Sequence, residues 1–376
     1  MIKQQKSNMS KSFQWFLLMA LLAGQCRYLI AAENPVTIIS TKVICKEPDR
    51  YIGWPTIVKR QSGQLIAVFS GDRDAHVCPW GKTEMISSPD NGKTWTKPSI
   101  INNTPLDDRD AGIIETKKGT LLVSWFTSLG FEEYSDNWDR HAEKITPEIR
   151  RQWLGSWIRR SEDGGKTWGD PVRTIACSPH GPVQLNDGRL LHIGTATLDE
   201  KPAIAAEASS DDGKTWQLIG TVPVPERTVD SLWFCEPHLV EVGSGKLLAM
   251  FRVEPKVSEQ FLYQAESSDG GRTWSAPHKT PIWGFPPHLT RLNNGWILVT
   301  YGRRKAPFGE RACISRDNGK TWDIDNEITL CNALSSDLGY PASVQLNDGS
   351  IMTVYYQQTE PGEKTCLMAA HWRLNE

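Results

Sequence analysis

One phrase of eight residues recurs five times in this chain of 376 residues, and its repetition constrains the fold more than any other feature. The consensus is S-x-D-x-G-x-T-W, and the copies begin at Ser88, Ser161, Ser209, Ser267 and Ser315. Each copy closes a segment that opens with alternating apolar residues, so each segment is one supersecondary unit of a repeat architecture. A regular array of such units predicts one closed domain instead of two independent ones.

A second phrase precedes these boxes and occurs six times, as an apolar strand, a turn and another apolar strand. The six copies begin at Pro55, Ala111, Gly181, Glu236, Pro287 and Tyr340. Turns such as Asn186-Asp187-Gly188 are typical of hairpins. The sixth unit lacks a box, whereas Val36–Ile44 is a β-rich run without a hairpin partner. We therefore predict an all-β fold, a six-bladed β-propeller whose last blade is closed by this N-terminal strand, which removes exposed sheet edges.

The boxes themselves have the composition of turns. The Asp carboxylate is expected to accept backbone N–H bonds, the Gly to adopt a conformation that other residues resist, and the Trp to pack inward. A calcium loop would require more carboxylates than each box supplies. The boxes therefore indicate a scaffold, and the chemistry is expected elsewhere.

The N-terminal residues have the pattern of a secretion signal. Three lysines precede the apolar run Phe13–Ala23, which is too short to span a membrane, and Ala31-Ala32 offers small residues for cleavage. We predict a signal peptide over residues 1–32, a single propeller domain over 33–376, and export to the periplasm or the extracellular space. Lipoprotein anchoring at Cys26 is the alternative, disfavoured by the preceding Gln.

The bulk composition excludes several other classes. A net charge of −2 and a pI near 6.5 argue against nucleic-acid binding. Seven cysteines follow the predicted leader without any CxxC motif, so buried free thiols are expected rather than a disulfide framework or a zinc site. We expect no metal, no organic cofactor, no integral membrane segment, and a monomer.

The spacing of the boxes reveals an insertion. Successive boxes lie 73, 48, 58 and 48 residues apart, and the long first gap contains an extra segment from Phe126 to Trp157. Within it, Pro147–Trp153 has the pattern of a short helix. An insertion of this kind either overhangs the ligand channel or decorates a rim of the propeller, and we favour the first.

Candidate site residues follow from the propeller geometry, because inner strands begin around a central channel. Polar residues at those positions are Asp110, His180, Glu236, His238, His288 and Tyr340. Several arginines follow the second strands, namely Arg73, Arg252, Arg303, Arg304 and Arg311. A convergent set of Arg, Glu, Tyr and His is typical of a site for an acidic ligand.

The boxes and the six units resemble the sialidase (exo-α-neuraminidase) superfamily of Asp-box, or BNR-repeat, propellers across essentially the whole mature chain. The phrase CEPHLVEV from Cys235, followed by KLLAMFR up to Arg252, is similar to the sialidase segment in which a Glu precedes the second Arg of the carboxylate-binding triad. This resemblance implies that Glu236 assists the nucleophile. The phrase GERACIS implies that Arg311 is the third Arg, and GYPASVQL that Tyr340 is the catalytic tyrosine.

The chemistry implied by this resemblance is coherent. A carboxylate beside the anomeric carbon of the substrate would repel a carboxylate nucleophile, so a neutral tyrosine attacks and a nearby Glu takes its proton. Arginines hold the substrate carboxylate through forked hydrogen bonds that Lys cannot reproduce.

The chain departs from the sialidase pattern at its first arginine. Sialidases open the first blade with an Arg-Ile-Pro-like phrase, whereas Trp54 occupies that position here. Arg73 in the next loop is a possible replacement. The acid/base is expected in the same loop, with Asp74 as the first choice, His76 as the second and Asp72 as the third.

We therefore expect a secreted, retaining exo-glycosidase that releases a terminal acidic sugar, sialic acid or a related one, from a glycan. The substrate-binding set comprises Arg73, Arg252, Arg304, Arg311, His180, His238 and His288. The missing first arginine and the histidines favour an alternative, a propeller glycosidase or lyase that acts on uronic-acid polysaccharides through His and Tyr. A noncatalytic glycan-binding propeller is a third interpretation, against which the Glu236/Tyr340 pair argues.

Overall fold

A computed structural model of the chain describes residues 35–225, 232–254 and 259–375, and the structural statements below refer to these residues. The predicted leader over residues 1–32 and the predicted alternative anchor Cys26 lie outside them.

The described residues form six four-stranded antiparallel sheets, which are the blades of the predicted propeller. Blade 1 contains β2 (Tyr51–Lys59), β3 (Leu65–Arg73), β4 (Lys82–Ser88) and β5 (Ser99–Asn102). Blade 2 contains β6 (Asp107–Glu115), β7 (Leu121–Ser128), β8 (Ser156–Ser161) and β9 (Val172–Thr174). Blade 3 contains β10 (Val183–Gln184), β11 (Leu190–Leu198), β12 (Lys201–Ser209) and β13 (Gln217–Val222).

The other three blades follow the same order from the channel outward. Blade 4 contains β14 (Trp233–Gly243), β15 (Lys246–Glu254), β16 (Phe261–Ser267) and β17 (His278–Trp283). Blade 5 contains β18 (Phe285–Arg291), β19 (Ile297–Arg303), β20 (Gly309–Ser315) and β21 (Ile328–Thr329). Blade 6 contains β22 (Gly339–Gln345), β23 (Ile351–Gln357), β24 (Cys366–Leu374) and, as its outer strand, β1 (Val36–Cys45).

Blade 6 confirms the predicted closure by the N-terminal strand. Strand β1 pairs antiparallel with β24, with Val36 opposite Leu374 and Cys45 opposite Leu367. The apolar side chains on the two ends of the chain are buried together, so Val36 packs in the same cluster as Trp372. One sheet therefore joins both ends of the described chain and closes the ring.

Helical structure is confined mainly to the insertion of blade 2. A 3-10 helix spans Gly130–Asn137, α1 spans Asp139–Ala142 and α2 spans Pro147–Trp153, as expected for that segment. The Thr146 hydroxyl accepts a hydrogen bond from the amide of Ile149, which satisfies a free donor at the start of α2. A second 3-10 helix spans Ile324–Asn326. Among the described residues, none of the helices has the length and hydrophobicity needed to cross a lipid bilayer.

The inner strands share a bulge that determines where the site lies. In blades 1, 2, 4 and 6 the pairing with the second strand skips two residues, and the first of these two has a positive φ. The φ values are 55° at Trp54, 48° at Asp110, 45° at Glu236 and 52° at Tyr340. Such conformations cost roughly 1–3 kcal/mol each in residues other than glycine and cluster at functional sites. A bulge also redirects the side chain that it carries.

The five boxes form one turn with the same hydrogen bonds in every copy. The Thr amide and the Thr hydroxyl both donate to the Asp carboxylate, as Thr273 does to Asp269 at 2.9 and 2.6 Å. The Ser hydroxyl also donates to this Asp and accepts the Gly amide, at 2.9 and 3.0 Å from Ser267. The predicted role of the box Asp as an acceptor of backbone N–H bonds is confirmed. These turns join the third and fourth strands of blades 1 to 5, on the outer side of the propeller.

We predict that Asp269→Ala lowers the melting temperature by about 2–5 °C. The Thr273 hydroxyl and amide hold the pKa of Asp269 at about 2, so its ionised form stabilises the fold. This stabilisation is present above about pH 4 and is lost as the pH falls through 2. Differential scanning calorimetry at pH 7 and pH 3 measures both effects, with Asp170→Ala as the control because Asp170 is exposed and makes no side-chain hydrogen bond within the described residues. An equal fall in melting temperature in Asp269→Ala and Asp170→Ala would contradict a stabilising role for the hydrogen bonds of the box.

Candidate active site

The centre of the candidate site is a hydrogen bond across the channel between blades 4 and 6. The Tyr340 hydroxyl donates to Glu236 Oε1 at 2.5 Å. Arg252 Nη1 donates to Glu236 Oε2 at 2.8 Å and lies 3.4 Å from the Tyr340 hydroxyl. Tyr340 and Glu236 each lie at the bulge of an inner strand, whereas Arg252 lies on β15 opposite Cys235. These three residues, which the sequence predicts as functional, are in mutual contact.

The environment keeps the Tyr340 phenol protonated. Burial, together with the negative charges of Glu236 and Asp110, raises its pKa well above the usual value of 10, although Arg252 and Arg304 act in the opposite direction. A free phenolate is therefore not populated near neutral pH. Any nucleophilic attack by this oxygen requires the proton to leave at the same time, and Glu236 already accepts it in a hydrogen bond.

Arg252 is shared between two carboxylates. Its Nη2 donates to Glu254 at 2.5 Å while its Nη1 is bound to Glu236, and its Nε is buried without a partner among the described residues. Burial alone would lower the pKa of this guanidinium, but the surrounding acidic groups, of which Glu236 acts most strongly, together outweigh burial and raise the pKa. Arg252 is therefore a fixed cation, and two of its five N–H groups, one on Nε and one on Nη2, make no hydrogen bond among the described residues.

Two further arginines approach Tyr340. Arg304 lies with its guanidinium carbon 5.7 Å from the Tyr340 ring centroid, held by hydrogen bonds from Nε to the Leu338 carbonyl at 2.9 Å and from Nη2 to the Tyr356 hydroxyl at 3.0 Å. The Arg109 side chain on β6 makes no hydrogen bond among the described residues, although its Nη1 and Nε lie 3.9 and 4.0 Å from the carboxyl groups of Asp107 and Asp110. Burial would lower the pKa of Arg109, but the nearby carboxyl groups of Asp110 and Asp107 act in the opposite direction and raise it. The site therefore contains guanidinium donors that the described protein leaves unsatisfied.

Trp54 fills the position at which a sialidase has its first arginine, and two arginines pack on its ring. The guanidinium carbons of Arg109 and Arg73 lie 4.6 and 5.1 Å from the ring centroid. Trp54 is 1 % exposed, so it supports the site from beneath instead of presenting a stacking surface. Its positive φ at the bulge directs the ring toward Tyr340, 6.4 Å away between ring centroids.

Arg73, the predicted replacement for the missing arginine, is engaged elsewhere. It forms a forked ion pair with Asp107 at 2.5 and 2.8 Å, and both side chains are completely or almost completely buried. The arginine that presents free N–H groups beside Trp54 is Arg109, which the sequence did not single out. The available signal was its position immediately before the inner-strand residue Asp110.

Asp110 lies at the bulge of blade 2, equivalent to Glu236 in blade 4. It is 6 % exposed, and its Oδ1 is buried without a hydrogen-bond partner among the described residues. Burial raises its pKa to about 7, and the neighbouring charge of Glu236 acts in the same direction, while Arg109 opposes both. Asp110 therefore holds its proton up to neutral pH, unlike an ordinary aspartate.

Three of the four predicted histidines form a buried cluster in the channel. The rings of His238 and His288 stack at 4.4 Å, and His180 lies 4.9 Å from His288 and 6.3 Å from Tyr340. His238 Nδ1 accepts the Leu289 amide at 2.9 Å, and burial lowers the pKa of His238 to about 3. Burial also lowers the pKa values of the other two well below the usual range. The cluster is therefore neutral and fills the channel next to Tyr340.

The remaining predicted site residues have other contacts. Asp74 forms an ion pair with Arg50, and neither residue contacts Tyr340, Glu236 or Arg252. His76 packs edge-on against Trp54 at 4.9 Å, and its Nδ1 lies 2.9 Å from the Tyr51 hydroxyl.

Asp72 and Arg311 also lie in local networks. Asp72 is paired with Arg50 and Lys82. Arg311 is 3 % exposed and donates to the carbonyls of Cys331 and Pro307 at 2.8 and 3.2 Å. The structure thus places Arg304, and not Arg311, beside Tyr340.

A cavity of about 390 Å³ opens beside this site between blades 2, 3 and 4. Asp110, Glu236 and Glu254 line one side of it, and Leu154, Gly155 and Ser156 at the end of the blade 2 insertion line another. The insertion therefore contributes to the surroundings of the site, as we expected. Within the described residues, no group of three or more His, Cys, Asp or Glu side chains is arranged to hold a metal ion.

Comparison with known sequences agrees with this architecture. The family described as "BNR repeat-like domain" matches residues 144–353. The chain belongs to this BNR repeat-like family. Its match runs from the insertion of blade 2 to β23, so the matched region includes Glu236, Arg252, Arg304 and Tyr340 but not Trp54 or Asp110.

Two sialidases are related to this BNR repeat-like chain at low identity. A sialidase of Bacteroides fragilis (strain YCH46) is 24% identical over 259 residues, which cover 57% of this chain and only 42% of that protein. A sialidase of Paraclostridium sordellii is 22% identical over 365 residues, which cover 81% of each chain. The chain thus spans less than half of the first relative.

The fold is that of a sialidase-like BNR propeller. The crystal structure of a protein of unknown function from Dyadobacter fermentans DSM 18053 superimposes with a TM-score of 0.77 at 24% identity, over 91% of this chain and 100% of that chain. This likeness extends the shared fold to nearly the whole propeller, including blade 1, where Trp54 lies.

We predict that Asp110→Asn stabilises the protein progressively as the pH rises from about 4 to about 7. A folded-state pKa of about 7 means that folding opposes ionisation of Asp110, so the wild type loses stability across this range and the variant does not. Three pKa units correspond to about 4 kcal/mol at most. Asn also tolerates the positive φ. Denaturant unfolding of both proteins at pH 4, 5.5 and 7 measures the difference between their free energies of unfolding. The pKa of Glu84 is also raised to about 7, but Glu84 is present in both proteins, so its contribution cancels from the difference. If the difference in free energy of unfolding did not change between pH 4 and pH 7, the raised pKa of Asp110 would be contradicted.

Proposed function

We propose that this protein is an exported, retaining exo-glycosidase that releases a terminal acidic sugar from a glycan. The observation that carries the proposal is the 2.5 Å hydrogen bond from the Tyr340 hydroxyl to Glu236, with Arg252 in contact with both groups. A phenol bonded to a carboxylate that can take its proton is a nucleophile with its base. Export rests on the predicted leader over residues 1–32.

In the proposed reaction, the Tyr340 oxygen attacks the anomeric carbon while its proton moves to Glu236. Because the phenol pKa is raised well above 10, attack and proton transfer occur together. Arg252 compensates the negative charge that Glu236 carries before the transfer. Water then hydrolyses the tyrosyl glycoside and the proton returns to Tyr340, so the anomeric configuration is retained after two inversions.

The acidic substrate is inferred from the unsatisfied guanidinium groups. Arg109 and Arg252 each have a buried Nε without a partner among the described residues, and Arg304 lies on the ring of Tyr340. A substrate carboxylate that accepts hydrogen bonds from the Nη groups of these arginines would gain charge-assisted hydrogen bonds of about 1.5–3 kcal/mol each. Arg109, packed on Trp54, would then replace the first arginine of the sialidase pattern.

The two alternative functions have less support. A propeller glycosidase or lyase that acts on uronic-acid polysaccharides through histidine would need an accessible base, whereas His180, His238 and His288 are buried with their pKa values lowered by that burial. His76 is partly exposed, and its Nδ1 lies 2.9 Å from the Tyr51 hydroxyl. A noncatalytic glycan-binding propeller would gain nothing from a buried phenol that donates to a carboxylate. The hydrolase therefore accounts for more of the site than either alternative.

We predict that Tyr340→Phe reduces turnover of the substrate by on the order of 10³-fold or more, because it removes the nucleophilic oxygen. Release of 4-methylumbelliferone from its sialoside and its glucuronide is the measurement, with 4-methylumbelliferyl galactoside as the neutral comparison. Tyr301→Phe is the matched control, since it removes another buried phenol hydroxyl that donates to a carboxylate, Glu327, at 2.5 Å. Hydrolysis that survives in Tyr340→Phe would exclude this mechanism, and no hydrolysis by the wild type would exclude the proposed function.

We also predict that Arg109→Met lowers kcat/KM for the acidic substrate by about 10- to 100-fold, the value of one charge-assisted hydrogen bond. The same variant should leave unchanged the much weaker kcat/KM for the corresponding carboxamide, which carries no negative charge. Steady-state kinetics on the two substrates gives the comparison. An equal loss on both substrates would mean that Arg109 supports Trp54 and does not recognise the carboxylate.

A further inference from the structure

Asp110 is the strongest unassigned group next to the proposed nucleophile. Its bulge position matches that of Glu236, and its Oδ1 is buried without a hydrogen-bond partner among the described residues. It lines the 390 Å³ cavity together with Glu236, so a group that enters this cavity meets both carboxyl groups. Arg109 Nε lies 4.0 Å from Oδ1, and the carboxyl group makes no hydrogen bond among the described residues, so it can exchange a proton with a ligand in the cavity without first breaking a hydrogen bond.

The cavity itself has the lining expected for a neutral sugar. Phe126 and Trp233 contribute apolar surface, while hydroxyl groups come from Thr127, Ser156, Ser178 and Thr195. The hydroxyls of Thr127 and Thr195 donate to the carbonyls of Trp153 and Cys177 and so can accept a hydrogen bond from a sugar. Among the residues that the structure describes, neither lysine nor arginine lines the cavity, although Arg252 and Arg304 lie nearby around Tyr340. A mixture of aromatic faces and neutral hydroxyls recognises the faces and hydroxyls of an uncharged sugar, whereas the carboxyl side would repel an anion.

We propose that Asp110 is the general acid and base of the reaction, and that the leaving group that it protonates is a neutral sugar seated in this cavity. The inference rests on the proposed function, since it assigns the second proton transfer of the same reaction. It also divides the site, with the acidic sugar on the arginine side of Tyr340 and the leaving sugar on the side of Asp110.

The electrostatics of the two carboxyl groups agree with the role of Glu236 as the base for Tyr340 and of Asp110 as the acid for the leaving oxygen. Glu236 accepts hydrogen bonds from Tyr340 and Arg252, as a carboxylate does, while burial and Glu236 raise the pKa of Asp110 to about 7. Two neighbouring carboxyl groups whose environments differ in this way are typical of an acid and a base in one site. The charged and titratable groups that act on Asp110 or respond to it are Arg109, Glu236, Arg73, Asp107, Tyr340 and Cys177.

The two steps balance with these groups alone. In the first, the bond from Tyr340 oxygen to the anomeric carbon forms and the bond to the leaving oxygen breaks, Glu236 takes the phenol proton, and Asp110 gives its proton to the leaving oxygen. In the second, water attacks the anomeric carbon, Asp110 takes one water proton, and Glu236 returns its proton to the departing Tyr340 oxygen. The net change is hydrolysis of one glycosidic bond.

Asp110→Ala tests the acid and base role through the leaving group. With a disaccharide substrate, whose leaving alcohol needs a proton, we expect kcat/KM to fall by about 10²- to 10⁴-fold. With a dinitrophenyl glycoside of the same acidic sugar, which needs no protonation, kcat/KM should fall less than about tenfold. Sodium azide should raise the turnover of the dinitrophenyl glycoside and yield the glycosyl azide, because azide attacks without a base. In Asp110→Asn, the fall of kcat/KM above pH 7 should disappear.

The rival variants are Asp74→Ala and His76→Ala, which remove the residues that the sequence favoured for this role. If either shows the leaving-group dependence and the azide rescue while Asp110→Ala does not, the assignment of Asp110 is overturned and the chemistry of Tyr340 and Glu236 stands. Equal losses of Asp110→Ala on both substrates, without rescue, also overturn it. If the wild type hydrolyses none of these glycosides, the proposed function fails and this inference fails with it.

Thr195→Val tests the placement of the leaving sugar, because it keeps the shape of the side chain and removes one hydroxyl from the cavity. We expect KM for the disaccharide to rise by about three- to tenfold. The glycosyl fluoride of the acidic sugar has no leaving sugar, so its KM should not change. A rise with both substrates would mean that the cavity holds the acidic sugar itself, which overturns the placement.

Discussion

The left-handed backbone at the start of four inner strands is the constraint on which the site depends. A regular strand would direct the side chains at these positions along the blade, whereas the bulge carries Trp54, Asp110, Glu236 and Tyr340 to one place in the channel. None of the four is a glycine, so the fold maintains an unfavourable conformation at each of them. The blades that supply them are held by ordinary sheet pairing and by the hydrogen-bonded boxes, and the stability of that scaffold offsets the strain at its centre.

Charge balance explains why so many ionisable groups can lie together there. Arg252 is placed between Glu236 and Glu254, and this arrangement leaves Glu236 able to accept the Tyr340 proton. Among the described residues, the cation paired with Asp110 is Arg109, at 4.0 Å and without a hydrogen bond, and burial makes Asp110 hold its proton. Neighbouring carboxyl groups thus differ because one has a bound cation and the other does not. The buried neutral histidines add polar side chains to the channel without adding charge.

Much of the fold could be predicted from the sequence because the information is local and repeated. The boxes and the strand phrases indicate six blades, and the unpartnered run at Val36 indicates the closing strand, which pairs with β24. Glu236, Arg252, Arg304 and Tyr340 follow from position in the repeat and from resemblance. Arg109 was not singled out in this way, because its role depends on its contact with Trp54 from another blade. Likewise, only the structure shows that Asp107 occupies Arg73 and that backbone carbonyls occupy Arg311.

The tryptophan in place of the first arginine alters the site more than the loss of one charge would suggest. An arginine at position 54 would be free to bind a substrate carboxylate from beneath, whereas the ring of Trp54 is buried and instead supports the guanidinium of Arg109. The cation is thereby moved from blade 1 to blade 2, next to Asp110. Under the proposed function, two neighbouring residues then act on two different groups of the substrate. Arg109 binds the substrate carboxylate, and Asp110 protonates the leaving oxygen. A substrate for this site must therefore bring its carboxylate and its glycosidic oxygen to adjacent residues of one strand, which is a stricter geometric requirement than three separate arginines would impose.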